Sequence, residues 1–132
     1  MEKSQLMENK KCFCDTGLLF ENCCGLYLQK NQKAPAALAL MRSRYSAYAS
    51  HNADYLIETT YISERKYYSK TEILRWAQEN KWQKLEILSF TENTVEFKAY
   101  FLDSDQKPQI HYEFSTFKFE NGAWYYLDGK FE

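Results

Sequence analysis

The chain has 132 residues, 45% of them apolar and 17% aromatic, with four glycines and two prolines. That suits one ordinary domain with a small appendage and excludes disordered, collagen-like and low-complexity architectures. With 17 basic residues against 18 acidic ones, the formal net charge of -1 argues against a general phosphate-binding surface, and so against nucleic acid as a partner.

Residues 1–11 are polar and unpatterned, and a frayed start is expected there. All four cysteines follow within Cys12–Cys24, and none lies beyond. Residues 26–34 read as a linker or a short docking turn. At Pro35 the texture changes, and proline suits the first turn of a helix whose spacing runs through Leu38, Met41, Tyr45, Tyr48 and Ala49. The longest apolar stretch is Ala36–Met41, too short to span a bilayer, and no hydrophobic leader opens the chain, so no membrane partner and a cytoplasmic location are expected. His51-Asn52-Ala53-Asp54 interrupts the pattern, and Asn52 or Asp54 can cap a second helix over Tyr55–Thr60. A third helix is expected over Thr71–Asn80, with Ile73, Leu74, Trp76 and Ala77 on its face.

The second half changes period. Trp82–Phe90 is rich in strand formers, and Val95, Phe97, Ala99 and Phe101 alternate with Glu96, Lys98 and Tyr100 as in a half-buried strand. A turn over Asp103–Pro108 precedes a strand over Ile110–Glu120. Asn121-Gly122 then signals a hairpin into a last strand, Ala123–Asp128. Helices followed by an antiparallel meander make an α+β domain.

Clustered thiols suit a metal better than a disulfide framework, which staples distant elements. Two pairs, Cys12/Cys14 and Cys23/Cys24, stand eight residues apart, and Gly17 lets the chain reverse between them. Four thiolates satisfy tetrahedral Zn²⁺ and leave no open position, so the site is expected to be structural. Four unliganded thiols, one or two disulfides, and an iron–sulfur cluster are the alternatives. Adjacent cysteines disfavour simple pairing, and the compact spacing suits one ion. The segment resembles the SEC-C motif: Cys12, Cys14, Cys23 and Cys24 match its ligand positions and Gly25 its following glycine. Asp15-Thr16 replaces the usual Gly-Ser.

Leu38, Arg42, Tyr45 and Ala49 share one helical face, which sets Arg42 as a charge on an apolar stripe and leaves Arg44 at the surface. The block Met41-Arg42-Ser43-Arg44-Tyr45-Ser46-Ala47-Tyr48, with Ala53-Asp54-Tyr55-Leu56 and the ending Gly122-Ala123-Trp124-Tyr125-Tyr126-Leu127-Asp128-Gly129, resembles the YchJ-like family. That family sets a SEC-C knuckle before an NTF2-like domain. The resemblance implies a zinc knuckle and linker over residues 1–33 and, over 34–132, a cone of helices packed on a curved antiparallel sheet. It implies no reaction. The family commonly has His directly before the strand glutamate. Tyr112 stands there, and no role of that histidine is carried to His111.

Period two places Glu113, Ser115, Phe117 and Phe119 on one strand face, and Trp124, Tyr126 and Asp128 on another. A candidate pocket therefore gathers Arg42, Tyr45, Glu113, Ser115, Tyr126 and Asp128, with Arg42 meeting Glu113 or Asp128. The same residues also describe a buried ion pair fixing helix to sheet. His51 and His111 read as lone surface histidines, and no catalytic motif is legible. Two functions stay open. One is a non-enzymatic, zinc-binding adaptor that meets a protein partner through Phe13, Leu18, Leu19 and Phe20. The other is an enzyme or small-molecule binder, its ligand unidentified, using the cavity near Arg42, Glu113 and Asp128.

Overall fold

A computed structural model describes residues 10–131, so the frayed start expected over residues 1–11 falls almost wholly outside the described residues. The knuckle opens as a small loop closed by an antiparallel bridge between Lys11 and Leu19. A 3-10 turn, Phe20–Asn22, and a short helix α1, Gly25–Leu28, bring the second cysteine pair back to the first. Gly25 is required at the crossing, because a Cβ there would stand 2.6 Å from the Phe20 carbonyl oxygen.

Helix α2 spans Ala37–Ala49 and α3 Ala53–Glu58, with the Asn52 side chain accepting from Tyr55 N at 3.1 Å as the cap. A 3-10 turn over Ile62–Tyr67, which no sequence signal announced, leads to α4, Lys70–Glu79. Ser69 caps α4, two residues ahead of the expected start at Thr71. Strands β1 (Lys81–Phe90), β2 (Thr94–Leu102), β3 (Pro108–Glu120) and β4 (Ala123–Phe131) form one antiparallel sheet in the order 1-2-3-4. The expected elements are therefore present, with β4 running three residues beyond Asp128.

Helix α2 is central rather than amphipathic. Its buried residues, Ala37, Leu40, Met41, Ser43, Arg44, Tyr45, Ser46 and Ala47, go all the way round, because knuckle, α3 and sheet each cover a side. The buried Ser43 is satisfied: its Oγ donates to Leu40 O at 2.7 Å and meets Tyr55 OH at 2.7 Å. One apolar cluster runs from Cys12, Cys14, Phe20 and Cys24 through Leu40 and Tyr45 to Val95, Phe97 and Phe117, so the knuckle shares its core with the body. Among the described residues no helix is long and apolar enough to cross a membrane.

Candidate metal centre and cavity

The four cysteines are free thiols, and their sulfurs all lie within 4.8 Å of one another, a group able to hold one metal ion. A tetrahedral ion with metal–sulfur bonds of about 2.3 Å sets its sulfurs about 3.8 Å apart. Cys14 Sγ and Cys23 Sγ are already 3.6 Å apart. Hydrogen bonds from Cys14 and Cys24 hold the Cys12 thiol well below its ordinary range, and the bond to Cys12 pushes Cys14 up to about 11. One negative charge is thus welcome and further ones are opposed, the electrostatics a bound cation reverses.

Neighbours orient these ligands. Thr16 Oγ1 lies 3.2 Å from Cys23 Sγ, and Ser46 Oγ of α2 lies 3.6 Å from Cys12 Sγ. Asp15, in the left-handed region at φ 65°, accepts from Leu85 N of edge strand β1 at 2.9 Å. The Asp15-Thr16 pair therefore does two tasks: the carboxylate, which a glycine would lack, ties the knuckle to the sheet, and the hydroxyl lies against the sulfurs. Arg42 joins the same junction, Nη1 donating to Cys14 O at 2.8 Å.

A separate cavity of about 200 Å³ lies between α2, α4 and the concave face of the sheet. Of the residues expected to form a pocket, Tyr45, Glu113, Ser115 and Tyr126 line it, and Arg42 and Asp128 do not. Arg42 is drawn to the knuckle because α2 has no free side. Asp128 is exposed because the register of β3 with β4 slips between Thr116 and Phe117: Tyr126 pairs with Phe117, Asp128 with Thr116, and Leu127 is extra. That bulge reverses the alternation, turning Asp128 outward and Gly129 and Phe131 inward.

Both basic residues of the cavity lining fall outside the expected pocket. Arg44, expected at the surface, is 7% exposed and lines the cavity. His111, read as a lone surface histidine, also lines it, with Nε2 2.9 Å from Glu113 Oε1. The parity that placed Glu113 and Ser115 on one face includes His111, so its position was legible. That of Arg44 was not.

Glu113 is the polar centre. Ser115 Oγ and Tyr126 OH each donate to Oε2 at 2.6 Å. Burial pushes its carboxyl up, but the bonds from His111, Ser115 and Tyr126 outweigh it and hold the group below its ordinary value. Burial, then the charge of Glu113, push the Tyr126 phenol far up, so it stays a donor. The walls are aromatic: Trp76 and Trp82 rings stand 5.0 Å apart, with Tyr48 5.6 Å from Trp82.

Helices roofing a four-stranded antiparallel meander over a polar-centred cavity, behind a tetracysteine knuckle able to hold a metal, define an NTF2-like domain with a small cysteine-rich appendage. A family model described as the middle NTF2-like domain of YchJ matches residues 36–129. The chain belongs to this YchJ-like family. A UPF0225 protein of Actinobacillus succinogenes is 36% identical over 127 residues, covering 92% of this chain and 82% of its own. A UPF0225 protein of an Enterobacter species is 39% identical over 124 residues, covering 89% and 81%. Among solved structures, a SEC-C motif containing protein from Rhodopseudomonas palustris superposes with a TM-score of 0.82 at 36% identity, over 90% of this chain and 96% of that one. One from Psychrobacter arcticus gives 0.79 at 33% identity, over 93% and 83%.

Proposed function

We propose that this protein binds a small molecule in the cavity of its NTF2-like domain, and that a structural Zn²⁺ on Cys12, Cys14, Cys23 and Cys24 clasps the N-terminal segment to that domain. The observation carrying the first half is a carboxylate, Glu113, 7% exposed and fully hydrogen-bonded, beside open space rather than packed side chains. A purely structural core closes such space, because empty volume forfeits dispersion contacts. The donor set supports the second half: four sulfurs with no vacant position favour Zn²⁺ in a structural role. Reduced thiols accord with the cytoplasm.

The test is a thermal-shift screen of small molecules against the reduced full chain and an Ala99→Phe variant, whose added ring fills the cavity. Compounds that raise the melting temperature of the wild type and leave the filled variant unmoved support the reading. Equal shifts in both proteins, or none in either, overturn it. Elemental analysis of the same material is expected to give one zinc per chain.

A second reading, an adaptor acting through the knuckle, is favoured by Leu18 and Leu19, 53% and 37% exposed on its outer edge. The other two contacts it invoked face inward, Phe20 being buried and stacked edge-on against Phe13 at 5.6 Å. Pull-downs with Leu18→Asp separate the readings: loss of a partner with zinc retained supports the adaptor.

A further inference from the structure

We infer that Arg44 makes the cavity a site for a small carboxylate carrying a flat apolar body. The inference rests on the cavity reading above. Arg44 is a buried cation without an acid: among the described residues no carboxylate lies within ion-pair distance of it. Its Nη1 donates to Leu56 O at 2.9 Å and Thr59 Oγ1 at 2.7 Å, with Thr60 Oγ1 at 3.4 Å. Neither Nε nor Nη2 has a hydrogen-bond partner among the described residues, yet no fully buried nitrogen or oxygen goes unpartnered there. The Nε–Nη2 edge therefore keeps open space before it, and the open space Arg44 lines is this cavity. Two parallel N–H groups on that edge match a carboxylate bidentately.

Glu113 does not fill this role from within. The guanidinium lies over the Tyr126 ring, Cζ 4.5 Å from its centre, and the Tyr126 hydroxyl donates away to Glu113. The acid stands across the tyrosine, both oxygens engaged. Of the two charged groups, the carboxylate is satisfied and the cation is half-satisfied, so the complementary ligand is an anion rather than an amine. A single free edge, with His111 the one other basic group on the lining, suits a monoanion better than a phosphate dianion. Trp76, Trp82 and Tyr48 supply flat walls for the rest of the ligand. A cavity of about 150 Å³ accepts benzene, so about 200 Å³ has room for one ring and its acid group.

The test titrates the zinc-loaded full chain with benzoate, benzamide and benzylamine, following Trp fluorescence and heat. Benzoate is expected to bind saturably, at least tenfold tighter than benzamide, with benzylamine weaker still. Arg44→Lys keeps the charge and loses the fork, and is expected to weaken benzoate about tenfold while leaving benzamide unchanged. Ala99→Phe, which leaves Arg44 alone, is expected to bind none of the three. Equal binding of benzoate and benzamide, or a preference for benzylamine, overturns the inference in the wild type alone, so the result stands even if Arg44→Lys does not fold. Ring compounds that bind regardless of charge and are lost in Ala99→Phe sink the carboxylate and spare the cavity reading. No binding by any ring compound sinks both.

Discussion

Gly129 shows how tightly the polar centre is built. A Cβ at this position would overlap Glu113 Oε2 and stand 2.5 Å from the Tyr126 hydroxyl. Gly129→Ala must therefore displace the carboxylate or the phenol from a buried network. The expected loss is about 1–3 kcal/mol in denaturant unfolding. The charge of Glu113 has its own signature. Its folded pKa is depressed, so its contribution is complete above the unfolded carboxylate value of about 4.3 and is lost as pH falls through the lower folded value. Between about pH 5 and about pH 3 the wild type is expected to lose more thermal stability than Glu113→Gln. Acid release of a metal affects both proteins alike and cancels in the difference. An equal decline in both would show that the folded environment does not lower the Glu113 pKa. Residue identities are legible here: strand alternation places Glu113 and Ser115 on one face and Tyr126 on another. His111 shares that alternation, so its inward place follows from the same two-residue period.

At the level of elements, two local devices carry measurable weight. Asn52 caps a helix of six residues that has few other means of stability. Asn52→Ala is expected to cost about 1 kcal/mol, read by chemical denaturation. Asp15 occupies an outward amide of edge strand β1, which would otherwise lie unpaired. Asp15→Gly keeps the left-handed backbone and removes the acceptor, and is expected to cost about 1 kcal/mol. Asp15→Asn keeps both and stays near wild type. A matching loss in the two variants would show that charge, not the hydrogen bond, ties knuckle to sheet. Strand periods and the Asn-Gly hairpin were legible because they follow from local backbone chemistry. The bulge at Leu127 was not, since it comes from the pairing of β4 with β3, and it alone moved Asp128 out of the predicted pocket.

Across the whole molecule, the knuckle and the cone share one apolar core. Cys12, Cys14 and Cys24 belong to the same apolar cluster as Leu40, Phe97 and Phe117. A strong chelator at neutral pH is therefore expected to lower the melting temperature of the whole chain, not merely to loosen its first residues, and Cys23→Ser is expected to do the same in part. Amide exchange on β1 and α2 provides the check. Unchanged protection there after metal removal would make the knuckle an independent appendage.

The amino-acid sequence by itself determined the order of the elements, the four clustered thiols and the face of β3 that turns inward. Each of these depends on neighbours in the chain: turn chemistry, ligand spacing and the two-residue repeat of a strand. Only the tertiary structure decided the exchange of roles between two arginines two residues apart. A helix covered on every side has no solvent face to mark its polar residues. Arg42 was therefore assigned to the knuckle, and Arg44 to the cavity, by what α2 packs against.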